Sequence, residues 1–380
     1  MSPRPGAAPT RASSGPRPPG GPGNTVSAVR HEVHELQKEG AVRTWRVGHP
    51  GPISSGPLVA GELPDPRPGR GEVLLRVRVC GVCRTDLHLV EGDLKPRHPG
   101  TIPGHEVVGE VLECGEDAAR FRPGERAGVA WLGRTCGSCR FCLRGQENLC
   151  LSPTFTGWDR HGGYAELITV AEDFAYRIPD IFPDEEAAPL LCSGIIGYRA
   201  LLRAELPIGG RLGIYGFGAS AHLATQIALS RGARVYVMTR SEEGRRLALQ
   251  LGATFAGRAE DRPPDPLDSA ILFAPAGGLV PMALRALDRG GTLAVAGIHL
   301  SDIPPLHYAS DLFQERQLRS VTANTRADGE EFFRIAAEIP LRPTTVGYPF
   351  SAADKALRDL AEDRITGAAV LHMGSEAPLT

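Results

Sequence analysis

Gly213-Ile-Tyr-Gly216-Phe-Gly218-Ala-Ser-Ala221 is the stretch on which the reading of the fold turns. It carries the spacing G-x-G-x-x-A between Leu212–Tyr215, which reads as a strand, and Ala219–Arg231, which reads as a helix. Glycines there let a pyrophosphate approach the backbone and the helix N-terminus, so Gly216, Gly218 and Ala221 are candidate dinucleotide contacts. A glycine motif alone is weak evidence, and its surroundings strengthen it. Val235–Met238 reads as a second strand, Glu242–Leu251 as a helix, and Ser269–Phe273 and Thr292–Ala296 as further strands. Alternating strands and helices imply a doubly wound parallel sheet with helices on both faces.

The end of the second strand bears on the cofactor. A dinucleotide site that prefers NAD carries a carboxylate there for the ribose hydroxyls. This chain has Met238-Thr239-Arg240-Ser241, and counting back from Leu251-Gly252-Ala253 puts Thr239 at the acidic position and Arg240 just after it. With the carboxylate absent and a guanidinium able to bind a 2′-phosphate, NADP is favoured, with NAD as the alternative.

Upstream, the pattern is that of short strands punctuated by Gly and Pro. Glu72–Val79, Val107–Leu112 and Ala127–Trp131 belong to it, and the stretch to about Val170 is β-rich. Past the alternating region, Thr345–Phe350, a helix near Ala352–Asp363 and Ala368–His372 break the rhythm and are expected to return to the first domain. The expected division is 41–193 with 341–380 as a catalytic zinc domain, and 194–340 as the dinucleotide-binding domain. Residues 1–40 are expected to be a disordered tail, since seven prolines and five glycines between Met1 and Asn24 leave almost nothing to anchor a core. Its arginines suggest a transit peptide, but the prolines forbid an amphipathic helix and no apolar stretch suited to secretion follows; a cytoplasmic protein is expected.

Composition sets outer limits. The 380 residues are 42% hydrophobic and 23% charged with a formal net charge of −2, which excludes a disordered chain and disfavours a dedicated nucleic-acid binder. No run approaches the roughly twenty apolar residues of a membrane-spanning helix. Eight cysteines are too few for a disulfide scaffold of this length, and their clustering points to metal. Cys136-x2-Cys139-x2-Cys142-x7-Cys150 can close a tetrahedral thiolate shell with no open position, which suits a structural ion. The bland alternative is a loop of free thiols. A zinc ribbon on nucleic acid is disfavoured, because the basic residues Arg134, Arg140 and Arg144 are few and only Phe141 interleaves with them.

A dispersed set is weaker taken singly. Cys83 lies in Cys80-Gly-Val-Cys83-Arg-Thr85-Asp86-Leu-His88, His105 in Pro103-Gly104-His105-Glu106, and Cys192 in Pro189-Leu-Leu-Cys192-Ser-Gly. A lone buried Cys or His is more often packing than ligation. Together they offer two thiolates and an imidazole, the donor set of a catalytic zinc with a vacant position.

In this order the motifs, with Glu147-Asn148-Leu149-Cys150 and Cys192-Ser-Gly-Ile-Ile-Gly-Tyr-Arg-Ala-Leu, resemble the zinc-dependent alcohol dehydrogenases of the medium-chain dehydrogenase/reductase superfamily. The chain looks most similar to their bacterial, propanol-preferring branch, from about residue 42 to 373. The resemblance implies a GroES-like catalytic domain beside a Rossmann domain. It implies that Cys83, His105 and Cys192 bind a catalytic zinc, and Cys136, Cys139, Cys142 and Cys150 a structural one. Asp86 would be the partner of His105, and Glu106 a carboxylate near the metal. Thr85 would contact the substrate oxygen and His88 would end a proton relay through the nicotinamide ribose. Trp131 would line a pocket for small primary alcohols or aldehydes, and the chain would associate as a dimer or tetramer. Cys80 and Cys114 remain as core residues. Two alternatives stand beside this: a polyol or secondary-alcohol dehydrogenase of the same superfamily, and a non-enzymatic nucleotide-sensing zinc protein.

Overall fold

The computed structural model describes residues 40–339 and 341–374. The expected tail lies outside them except for Gly40, as do residues 375–380. Two sheets organise the described chain. One has six strands in the spatial order Phe255–Gly257, Arg234–Met238, Arg211–Tyr215, Leu267–Leu272, Leu287–Val295, Gln317–Ser320, and every neighbouring pair is parallel. From the central strand Arg211–Tyr215 the chain steps outward twice and then returns to the other side. That reversal leaves a crevice at the carboxyl end of Arg211–Tyr215, where an open α/β sheet takes its ligand.

The outermost strands of this sheet escape the sequence pattern. Phe255–Gly257 has three residues, and Gln317–Ser320 alternates no clear apolar face. The central strands are legible because they are sealed on both sides: Leu212, Ile214, Val235, Val237 and Ile271 are fully buried. Helix Ala219–Ser230 lies over them, with Ala221, Leu223, Ala224, Ile227 and Ala228 in the core.

The second sheet has seven strands. Glu72–Val82 is its spine, pairing antiparallel with Val107–Cys114, Leu167–Ala171 and Ala368–His372. Thr345–Pro349 then adds in parallel to Ala368–His372, so the last two strands among the described residues extend the sheet built on Glu72–Val82. Two register shifts against Val107–Cys114, near Leu74 and Val77, bend the spine and let different partners use its two ends. The closed side forms its own core around Val73, Leu75, Val77, Val107 and Val111. Cys80 is fully buried there, while Cys114 is half-buried against the same cluster.

Gly109 marks a close backbone crossing of that ladder, since a Cβ on it would stand 2.6 Å from the Arg76 carbonyl oxygen. Gly109→Val is expected to force the two strands apart and to lower stability by about 1–3 kcal/mol, read as a reduced urea midpoint.

Candidate active site and metal centres

Three different elements deliver the dispersed ligand set. Cys83 follows the end of the spine strand Glu72–Val82 and caps the helix Arg84–Glu91. His105 ends the loop that enters Val107–Cys114. Cys192 sits in a π-helical turn, Leu190–Gly194, between helices Asp184–Pro189 and Ile195–Ala204. Pro189 explains that turn: it has no N–H to give to the preceding turn, and the helix widens for five residues before resuming. The donor atoms of Cys83, His105, Glu106 and Cys192 all lie within 4.8 Å of one another.

The spacing fits a metal. Four sulfurs 2.3 Å from a tetrahedral zinc stand about 3.8 Å apart, and Cys83 Sγ to Cys192 Sγ is 3.9 Å. The electrostatics call for a cation as well. Asp86, His105 and Glu106 are 2%, 1% and 2% exposed, so two carboxylates are buried beside two thiols. The hydrogen bond from Cys192 holds the Cys83 thiol well below its usual range, against burial, and pushes Cys192 up. Burial and then the Cys83 charge raise the Glu106 carboxyl. Burial alone would lower His105, but Asp86 more than offsets it and holds the imidazole well above the usual histidine range.

Asp86 does the positioning. One carboxylate oxygen accepts from the Gly104 N–H at 2.9 Å and faces His105 Nδ1 at 3.3 Å, and the other accepts from the Cys83 N–H at 2.9 Å. With Nδ1 turned to Asp86, the imidazole presents Nε2 to the cluster. Glu106 reaches the cluster over Gly81, where a Cβ would meet Glu106 Oε2 at 2.0 Å. Thr85 Oγ1 is 3.8 Å from Cys83 Sγ, and His88 follows it by three residues on the same helix face. Asp93 Oδ2 holds His88 Nδ1 at 2.9 Å.

An aromatic wall stands beside the cluster. The Trp131 ring meets His105 edge-on at 5.1 Å and stacks with Phe155 at 5.0 Å and Trp158 at 5.9 Å. Phe155 and Trp158 are not found from the sequence. The signal was there in Thr154-Phe-Thr-Gly-Trp158, an aromatic-rich segment just after the fourth cysteine of the loop.

The four-cysteine loop converges likewise. Sulfur separations are 3.5 Å for Cys136–Cys150, 3.6 Å for Cys139–Cys142 and 4.0 Å for Cys136–Cys142, which brackets a tetrahedral edge and exceeds any disulfide. Backbone N–H groups of Cys139, Cys136 and Ser152 point at the sulfurs of Cys136 and Cys150. Backbone donors of this kind hold Cys139 down at about 6. The loop's last turn is clamped to the parallel-sheet half. Glu147 accepts from the Arg326 guanidinium and backbone N–H at 2.7–3.1 Å, and Asn148 Nδ2 donates to the Thr322 carbonyl.

The dinucleotide crevice keeps its predicted residues together. Gly216 has φ 87, and a Cβ there would stand 2.8 Å from the Ala274 nitrogen. A Cβ on Gly218, which precedes helix Ala219–Ser230, would meet nothing within 4 Å, so the helix N-terminus is open to an anion. Ala221 is fully buried in the helix packing. Thr239 is buried at the strand end and Arg240 is exposed beside it. Arg245, not found from the sequence, donates from Nη1 to the carbonyls of both Thr239 and Arg240 at 2.9 Å. A separate open depression of about 530 Å³, lined by Arg120, Tyr176 and Phe333 among others, shares no residue with these clusters.

Residues 69–180 match the family model of the alcohol dehydrogenase GroES-like domain, and residues 221–338 that of the zinc-binding dehydrogenase. The chain belongs to the zinc-type alcohol dehydrogenases of the medium-chain dehydrogenase/reductase superfamily. It is 58% identical over 332 residues to "Probable alcohol dehydrogenase AdhA" of Mycobacterium tuberculosis, covering 86% of this chain and 96% of the relative. An alcohol dehydrogenase of Geobacillus stearothermophilus is 34% identical, with 82% and 94% covered. Among solved structures, a cinnamyl alcohol dehydrogenase from Sorghum bicolor superposes with TM-score 0.81 at 26% identity, covering 90% of this chain and all of that one. The protein is an alcohol dehydrogenase that works with zinc and a nicotinamide cofactor on a small-molecule substrate.

The Glu147 clamp gives a pH-dependent stability term. Burial pushes its carboxyl up, but the Arg326 hydrogen bonds and charge more than offset this and hold it below the usual range. A group lowered in this way stabilises the fold above its unfolded value, about 4.3, and the contribution fades as pH falls through the folded value. Glu147→Gln is expected to cost about 1–2 kcal/mol at pH 7 and progressively less below about pH 4, measured by urea unfolding across pH.

Proposed function

We propose that the protein is an NADP-preferring alcohol dehydrogenase and aldehyde reductase of small primary alcohols, with two zinc ions per chain. The observation that carries the reading is the convergence of Cys83, His105 and Cys192 beside an apolar aromatic wall, at sulfur separations that suit zinc. These residues and, within the other shell, Cys136, Cys139, Cys142 and Cys150 would hold the metal. Zinc in the first set would supply the positive charge that stabilises a developing oxyanion, and the nicotinamide would supply hydride chemistry.

The chain's own groups do the rest. The Thr85 hydroxyl, next to Cys83, holds the substrate hydroxyl and passes on its proton. Asp93 engages His88 Nδ1, which leaves Nε2 of the ring to accept that proton at the end of a relay. Trp131, Phe155 and Trp158 keep water from the reacting carbon and favour short, apolar substrates. On the cofactor side, Gly216 and Gly218 let the pyrophosphate reach the helix N-terminus. Arg240 meets a 2′-phosphate, and Arg245 braces the strand end that carries it.

Association through the parallel sheet is part of the same reading. The edge strand Gln317–Ser320 pairs on one side only, and Ile303, Tyr308 and Phe313 in the preceding segment are exposed. A symmetric dimer would cover both. Reduced thiols at both clusters suit a cytoplasmic setting.

Metal analysis is expected to return about two zinc ions per chain, and a folded Cys83→Ala protein about one, with alcohol-dependent NADP reduction lost. Retained turnover in that variant would sink the catalytic assignment. Arg240→Ala is expected to lower kcat/KM for NADPH about 10- to 100-fold with little change for NADH. A wild-type preference for NADH would overturn the cofactor reading. Rates on propanol, isopropanol and sorbitol separate primary-alcohol from secondary-alcohol and polyol activity.

A further inference from the structure

Helix Arg84–Glu91 and the loop after strand Leu287–Val295 face each other across the cleft between the two halves of the chain. The contact between them is made by two histidines. The His88 and His299 rings lie with centroids 3.8 Å apart and planes inclined by 32°. Nothing in the sequence pattern picks out His299. Its backbone does: φ is 52, a left-handed conformation that a residue with a side chain rarely adopts. The loop is anchored just before it, where the N–H groups of Ala296 and Gly297 both donate to the Leu272 carbonyl. The strand therefore ends in a fixed turn that aims one imidazole at another.

We propose that His299 is a positioning residue for the proton-accepting end of the reaction: packed against His88 and opposite Asp93, it fixes the orientation of that imidazole. The inference rests on the reading of His88 as the terminal base. Asp93 holds Nδ1 from one side, and the His299 ring covers a face, so the His88 ring cannot rotate freely. Two rings at this distance resist carrying a positive charge each. The groups that face the pair are each other and Asp93. Among the described residues no other ion pair or hydrogen bond reaches either ring. Partial burial first, and the His88 charge second, hold His299 below the usual histidine range, with Asp93 pulling the other way. The neutral, solvent-facing His299 therefore acts on His88 as a ring that holds it in place rather than as a second charge.

Removing the covering ring should lower kcat for alcohol oxidation and leave the alcohol KM nearly unchanged, because His88 is misplaced and the substrate contacts are not. His299→Ala is expected to lower kcat about 3- to 10-fold, and His299→Phe, which keeps a ring over His88, to bring it back to within about twofold of wild type. An equal loss in His299→Phe and His299→Ala would deny the role to the ring and overturn the inference, as would an unchanged kcat in His299→Ala. His88→Gln separates the premise: its profile should lose the acidic limb, and adding His299→Ala to it should then lower kcat no further. An acidic limb that survives His88→Gln overturns the terminal-base reading itself. Thermal unfolding in parallel should shift by no more than about 2 °C for the exposed His299.

Discussion

The carboxylate of Asp86 is the interaction on which the rest of the site depends. It is buried, and an ionised carboxylate in that position costs several kcal/mol unless its oxygens are bonded. Here they are bonded to the Cys83 N–H, the Gly104 N–H and the His105 ring. Those donors belong to the start of a helix, a loop and a side chain that come from different parts of the sheet. One anion therefore sets the distance between two candidate ligands and the orientation of one of them. The spine strand has to end where it does, Gly81 has to lack a side chain, and the loop has to pass at Gly104 for that arrangement to exist. The buried charge that results is best balanced by a cation held between Cys83, His105 and Cys192.

The two halves of the chain meet at more than the active cleft. At one end, Glu147 and Asn148 fasten the four-cysteine loop to Arg326 and Thr322 of the dinucleotide half. At the cleft, helix Arg84–Glu91 and the turn carrying His299 touch through their rings. The four-cysteine loop, the parallel-sheet half and the helix that carries His88 are thus mechanically linked, although they are far apart in sequence.

How much of this is legible in the sequence depends on how local the cause is. The parallel sheet shows itself because its central strands are buried on both faces and its first turn is confined to Gly216 and Gly218. The clustered cysteines show themselves because four sulfurs must fit within one loop. Cys83, His105 and Cys192 become a set only through resemblance, since nothing local says that residues on three separate elements converge, and the structure brings them together. Phe155, Trp158, Arg245 and His299 stay hidden for the same reason. Each matters for what it faces across a gap, and composition or periodicity records only what a residue sits next to. The edge strands are missed because an edge has one partner and so little apolar pattern.

The turn Leu190–Gly194 has a consequence for how this chain could change. Each residue of an α-helix advances the phase by about 100°, so the wide turn after Pro189 sets the angular position of Cys192 relative to the helices on either side. Shortening it by one residue would restore regular hydrogen bonding and swing the sulfur out of the cluster, while much of the flanking apolar packing could survive. A ligand could in this way be lost by deletion rather than by substitution, leaving a stable helix and an unaltered cysteine that faces the wrong way.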